Sequence, residues 1–533
     1  MNAYLIGVII SLAVYLVVGA VAGRKVKGVN DYYVAGRRAP TILIVGSLVA
    51  SFLSTGAFLG DTGEVYAGFF VPIVIVGVLQ ATGYLWGSSL FGRYIRRSEA
   101  LTLPDYFAKR FQSDKIRKLA AIITIFAVSA YMLSAMQGIS TLMAEITGLE
   151  YKWCVIIAWI SFTLFTIYSG SMGVLLTDTI MFLVFLSAAF IAIPYVTSNA
   201  GGWFEAIHNL AASSTSPGII SWHSNLSYMY PTGGQNIAWA VTYGIVWMLV
   251  VMVSPWQTSR YLMAKNEHTV MRSAVWASMG VMLTTLLLYF MAVFVQSVNP
   301  DLVPSKSMIW AAMNMMPTIV GVVLLAGILA AGISSASTFL SLIGFSLTND
   351  IFRTQTQKAG TDKKRLMISR IGMLIASLVI LVIAYFNPPQ IFVIMYFGGT
   401  VIASSWGAVA IASIWSKKLS KTGAFAGMLS GFLACAIVKI VSGVVDFEWP
   451  MYLDPFIIGV IVSIIAMVIG SKLRPISNEE IAERKGLFVV PEVEKGRSDC
   501  ARTIKTGYLY IAFGVILVIG LLVFWALPYT GVL

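Results

Sequence analysis

Ser334, Ser337, Thr338 and Ser341 recur at intervals of three and four residues and so share one face of any helix that contains them. Hydroxyl oxygens, with any carbonyls freed from helical bonding, are hard neutral ligands. Such a set suits a weakly held monovalent cation that must be released again, whereas a tight divalent site would call for carboxylates. The same stripe could serve hydrogen bonds between helices or back-bonding to the preceding turn. Two further clusters contain the small, polar and helix-breaking residues that expose backbone groups: Ser47, Ser51, Ser54, Thr55, Gly56, Gly60 and Gly63, and Gly244 followed by Ser254-Pro255-Trp256-Gln257. The plainer reading of both is close helix packing or a kink. Asp178 is the one carboxylate that falls clearly within an apolar run. A charge there is costly and marks a functional candidate, yet an Asp in a first helical turn also simply favours the helix dipole.

The elements that must position these residues are transmembrane. Of 533 residues, 58% are hydrophobic and 11% charged, which excludes a soluble globule. Apolar runs long enough to cross a bilayer as helices fall near 4–23, 41–60, 67–92, 119–146, 153–170, 174–197, 236–259, 273–297, 318–348, 371–386, 390–415, 422–442, 455–471 and 506–528. Ala20-Val21-Ala22 has the form of a cleavage site, but no positive charge precedes the first run and Arg24, Lys25 and Lys27 follow it, so it reads as a retained helix. The formal charge of +13 is lopsided: all Lys and Arg except Lys152, Lys306 and Lys439 fall on one side of the alternating loops. That side is expected to be cytoplasmic, which puts both termini outside a plasma membrane and makes the basic residues topological anchors with no call for nucleic acid. Cys154, Cys435 and Cys500 lack metal-ligand spacing. His208, His223 and His268 read as loop residues. No HExxH, GxSxG or Walker pattern is present, so neither a zinc hydrolase nor an ATP-driven pump is indicated, and no enzyme is expected.

The second and seventh runs, five apart, lead two groups of five helices that begin on opposite sides, as inverted repeats do. The expected division is an extra helix and loop (1–39), a first repeat (40–197), an outer loop (198–235), a second repeat (236–416), and three peripheral helices (417–533) whose loop 472–505 is too short for a signalling kinase. Trp203, Trp222 and Gly233-Gly234 suggest partial order in the outer loop.

The chain resembles the sodium/solute symporter family over roughly residues 5 to 440. The marks are Asp31-Tyr32-Tyr33-Val34-Ala35-Gly36-Arg37, Leu103-Pro104-Asp105-Tyr106, Tyr168-Ser169-Gly170 with Thr177-Asp178, Arg260-Tyr261-Leu262-Met263-Ala264-Lys265, and Ala330 to Ser335, in that order. The resemblance implies an all-α LeuT-type five-plus-five fold and Na+ as co-transported ion. Matching Phe58-Leu59-Gly60 and the Ala-x-x-Ser-Ser pattern assigns sodium ligands to Ala50, Leu53, Ala331, Ser334 and Ser335, and Thr177-Asp178 makes Asp178 a cation attractor on the release path. Members of the family carry proline, pantothenate, sugars, sialic acid and short carboxylates. Sugar carriers have amide and carboxylate side chains where this chain has Ala57, Ser254 and Ile394. The solute wall expected instead is Gly56, Ala57, Gln80, Thr82, Ser254, Trp256, Gln257 and Tyr396, which suits a small solute with one polar end. Gln80 could equally bond a neighbouring helix, and Trp256 could be simple packing. Proton coupling through Asp178, Asp61 or Glu64, or a sensor built on the same frame, are the alternatives. Oligomeric state is not legible.

Overall fold

In hydrocarbon a backbone must satisfy its own polar groups, so an apolar chain of this kind folds as helices. A computed structural model describes residues 3–23, 28–353, 361–386, 391–445 and 454–532, and Arg24, Lys25, Lys27 and Lys358 lie outside them. Among the described residues, eleven helices are long and apolar enough to cross a membrane, twelve when the bent pair Thr41–Phe52 and Gly56–Ala67 counts as one span. Ala3–Gly19 and Tyr151–Leu164 are shorter apolar stretches. Each of the fourteen expected runs overlaps a helix.

In chain order the helices are α1 (Ala3–Gly23), α2 (Val29–Val34), α3 (Thr41–Phe52), α4 (Gly56–Ala67), α5 (Phe70–Arg97), α6 (Leu103–Phe111), α7 (Asp114–Thr147), α8 (Tyr151–Asn199), α9 (Trp203–Ala211) and α10 (Gly233–Val253). There follow α11 (Pro255–Met263), α12 (Glu267–Val298), α13 (Ser307–Asn314), α14 (Thr318–Ile351), α15 (Asp362–Phe386), α16 (Ile391–Trp415), α17 (Lys421–Val445), α18 (Pro455–Leu473), α19 (Asn478–Gly486) and α20 (Arg497–Thr530). Within α8, Gly170 has φ 58° and ψ 177°, a conformation that glycine adopts freely, and the chain turns there between the fifth and sixth expected runs.

Three expectations are corrected. The second run does not stop at residue 60 but continues to Ala67, which brings Asp61 and Glu64 inside it. The seventh continues to Met263, because Pro255 restarts a helix as a first-turn residue, so Arg260 is helical instead of lying in a basic loop. His208 and His268 sit on α9 and α12 instead of in loops.

α14 packs against α7 and α8, α3 lies on α8 and α12, and α5 on α10 and α12. Glycines set the closest approaches. A Cβ on Gly83 of α5 would stand 2.6 Å from the Met248 carbonyl oxygen of α10, a backbone atom that cannot swing aside. Gly83→Val is therefore expected to cost about 1 to 3 kcal/mol by overpacking. Gly234→Ala, whose Cβ would meet nothing within 4 Å, is the control for thermal unfolding in detergent.

A strap crosses the basic face. α19 opens with a capping box between Ser477 and Glu480. Arg110 Nη1 donates to the Glu480 carbonyl (2.9 Å) and its Nε to that of Ser413 (2.6 Å). Arg97 pairs with Glu267 and donates to the Leu487 carbonyl (2.8 Å), while Glu494 accepts from the Glu267 backbone (3.0 Å). Backbone bonds between Ala39 and both Met263 and Lys265 join the same face.

Candidate functional site

α3 ends at Phe52, and Leu53, at φ −74° and ψ 86°, leaves the helical region. The chain re-enters a helix at Gly56, whose N–H is taken by Ser54 Oγ (2.9 Å), and runs through a π-helical segment, Gly56–Asp61, bent 48° from α3. Local π geometry of this kind recurs at functional sites. Beside the break lies α14. A Cβ at Gly332 would stand 2.8 Å from Thr55 Cγ2, so glycine is what admits α14 to this distance.

Here Ser335 Oγ reaches the Ala50 carbonyl at 3.5 Å, a long contact that leaves both oxygens poorly satisfied. Ala50, Leu53, Ala331, Ser334 and Ser335 are all fully buried. Ala331 precedes Ser335 by one helical turn on the same face. Ser334 is engaged otherwise: its hydroxyl donates to Asp178 Oδ1 (2.6 Å). Ser337 and Ser341 back-bond to the carbonyls of Ser334 and Ser337, both at 2.9 Å, so half of the hydroxyl stripe serves its own helix.

Asp178, on α8 and fully buried, also accepts from Ser47 Oγ (2.5 Å) and from Arg260 Nη2 (3.1 Å). The same guanidinium donates to Ser47 (2.9 Å), Ser259 (3.0 Å) and Thr338 Oγ1 (2.5 Å). A buried carboxylate is tolerable only when paired and hydrogen-bonded, and both conditions hold. Arg260 is the site residue that sequence reasoning missed. The signal was Pro255, which makes residue 260 part of a helix's second turn. Next to Arg260 a narrow cavity is lined by Ser171, Leu175, Met263, Thr338 and Phe345, on the basic side of the Asp178 pair.

The expected solute wall is brought together in part. Gln257 donates to Tyr84 Oη (3.1 Å) and to the Leu48 carbonyl (3.4 Å), which holds α11 against α3. Trp256 lies 4.6 Å from the Tyr131 ring and 5.5 Å from Phe339, measured between centroids. Ser254 Oγ, Gln257 Oε1 and the phenol oxygens of Tyr131 and Tyr243 are buried without a hydrogen-bond partner among the described residues. Ala57 is buried, and Gly56 abuts Met395. Thr82 turns back to the Leu79 carbonyl (2.7 Å), Gln80 is buried on α5, and Tyr396 stacks on Tyr243 and donates to Asp454 (3.2 Å). Tyr131, of which the sequence gave no sign, is the ring that joins Trp256 to Trp247.

A membrane-embedded bundle with an interrupted helix, buried backbone freed from helical bonding at the break and a buried hydroxyl and carboxylate cluster opposite it is the frame of a carrier protein. The chain belongs to the sodium:solute symporter family, whose profile matches residues 32–431. It is 26% identical to the osmoregulated proline transporter OpuE of Bacillus subtilis (strain 168), over 88% of this chain and 95% of that protein. Identity to the sodium/pantothenate symporter of Escherichia coli (strain K12) is 23%, over 87% and 96% of the two chains. In fold it is similar to a Na+-coupled sialic acid symporter solved substrate-bound and outward-open, with TM-score 0.72 and 16% identity over 89% of this chain and 98% of that one. The protein is a multi-pass, secondary active, sodium-coupled symporter of a small organic solute, working by alternating access, and is not an enzyme.

Proposed function

We propose that sodium binds between the α3 break and α14, held by the Ala50, Leu53 and Ala331 carbonyls and the Ser334 and Ser335 hydroxyls, and leaves past Asp178 toward the basic, cytoplasmic face. The observation that carries this reading is the approach of Ser335 Oγ to the Ala50 carbonyl beneath an interrupted helix. Fourteen spans, with repeats at 40–197 and 236–416 and peripheral helices beyond 417, then place both termini outside the plasma membrane. The expected basic-loop asymmetry supports this orientation.

The solute is a monocarboxylate, an amino acid or a pantothenate-like molecule in preference to a sugar. Relatives named for proline and pantothenate support this choice, as do the apolar rings around Trp256 and the sparse polar atoms of Ser254 and Gln257. A membrane potential of 100 mV contributes about 2.3 kcal/mol per charge, enough for one sodium to concentrate a neutral solute roughly 50-fold. Proton coupling is the second reading, favoured by Asp61 lying within the bent span.

The test is uptake of labelled proline, pantothenate, pyruvate, acetate, sialic acid and glucose into proteoliposomes under an inward sodium gradient, an inward proton gradient or neither. Accumulation of one carboxylate-bearing solute under sodium alone is the expected result. Uptake that follows protons, or a preference for glucose, contradicts the reading.

A further inference from the structure

Two carboxylates within apolar helices, Asp178 on α8 and Asp61 on the bent helix, are treated in opposite ways. Asp178 has Arg260 within ion-pair distance. Asp61, six residues into α4, forms no ion pair among the described residues; its one hydrogen bond is from Tyr289 Oη at a long 3.3 Å, and it stays partly accessible. Its neighbour Glu64, one turn on, is occupied by the Tyr228 phenol at 2.7 Å. A carboxylate inside a membrane protein with no resident cation is costly, and the cost is relieved by a cation that arrives and leaves.

What surrounds Asp61 selects the kind of cation. A Cβ on Gly60, the residue before Asp61, would stand 3.7 Å from Phe392, whose ring stacks on Tyr243 with 5.7 Å between centroids. Tyr131 and Tyr243 are more than nine-tenths buried, and among the described residues neither hydroxyl has a hydrogen-bond partner. Their rings form a continuous aromatic wall with Trp247, at 5.9 Å from Tyr131 and 6.4 Å from Tyr243, which reaches Trp256 through Tyr131. Aromatic faces with a single carboxylate suit an organic ammonium, whose charge is diffuse and whose carbon substituents prefer rings to water. A sodium ion would want a shell of oxygens instead.

We infer that Asp61 and the wall of Tyr131, Tyr243 and Trp247 receive the ammonium group of the transported solute, so that the substrate is a zwitterion and not a plain carboxylate. The inference rests on the solute lying at the α3–α4 break, as proposed above, and narrows its chemistry. A zwitterion fits with its ammonium at Asp61 and its other end toward the break.

The test uses purified full-length protein in sodium buffer and reads the binding of isosteric pairs by tryptophan fluorescence: glycine betaine with 3,3-dimethylbutyrate, L-proline with cyclopentanecarboxylate, and choline with 3,3-dimethylbutanol. In at least one pair the ammonium member is expected to bind the wild type about tenfold or more tightly, a margin of about 1.4 kcal/mol. Asp61→Asn should weaken that member about tenfold more than its carbon isostere. Asp61→Glu, which keeps the charge, should retain part of the preference. The assignment is overturned if no pair is discriminated, if no ammonium compound binds up to about 10 mM, or if Asp61→Asn keeps the preference and alters only sodium or proton dependence. The wild-type comparison stands even where the variant fails to fold. Exchanging sodium for potassium in the same cell separates the two readings: charge discrimination that persists without any sodium dependence breaks the sodium site and leaves the Asp61 assignment intact.

Discussion

Replacing Arg260 with alanine is expected to cost about 3 to 5 kcal/mol of stability, because it leaves the Asp178 carboxylate buried without a counter-charge. Asp178 is fully buried and would retain only the Ser47 and Ser334 hydroxyls. Neither hydroxyl carries charge, and the four bonds that Arg260 makes to Ser47, Ser259, Asp178 and Thr338 would go together. The double variant Asp178→Asn/Arg260→Gln removes both charges and should recover most of the loss, since a neutral buried pair escapes the desolvation cost. Sodium-driven uptake should nevertheless stay low in the double variant if Asp178 attracts the cation on its way out, as proposed. Thermal unfolding in detergent and uptake in proteoliposomes separate the two effects. An Arg260→Ala protein as stable as the wild type would show that the pair is hydrated and that its burial has been misjudged.

The second large effect divides two adjacent serines. Ser335→Ala removes the hydroxyl that faces the Ala50 carbonyl, and a hydrogen-bonding or ligating group lost to a charged partner is worth about 1.5 to 3 kcal/mol. The sodium concentration for half-maximal uptake should therefore rise about ten- to hundredfold. Ser334→Ala instead frees Asp178 Oδ1, while Ser47 and Arg260 continue to hold the other oxygen. Its sodium dependence should shift less, because that hydroxyl must leave Asp178 before it can reach the ion, and its stability should fall by about 1 kcal/mol. Equal shifts from the two substitutions would mean that the Ser334–Asp178 bond opens at little cost when the ion binds, and no shift from Ser334→Ala would remove Ser334 from the ligand set.

How far the sequence was legible follows from what each signal measures. Hydropathy records burial in lipid or protein, so it located every apolar run, and the clusters of Gly, Ser and Pro marked both interruptions. It reads charges as boundaries, however. Arg260 was assigned to a loop and Asp61 to a helix end for that reason, when both lie in helices that carry on through the charge. Hydroxyl periodicity showed a common face on α14 but not the bonding of each member: Ser337 and Ser341 return to their own helix, whereas Ser334 and Ser335 reach α8 and α3. Tyr131 was invisible because an aromatic residue in an apolar run is ordinary. Only the crossing of α7 with α10 and α11 gives it two tryptophan neighbours.

The strap across the basic face also has a consequence for biogenesis. Arg97 and Arg110 take their carbonyl partners from Leu487 and Glu480, which lie more than 350 residues further along the chain. At synthesis rates of about 5 to 20 residues per second, roughly 20 to 80 seconds separate the ribosome's delivery of the two sides of each contact. During that interval the guanidiniums of α5 and α6 are without those carbonyls. The nascent carrier thus remains unlatched on this face until α19 emerges, and the helices before it have this time to settle against each other before the strap closes over them.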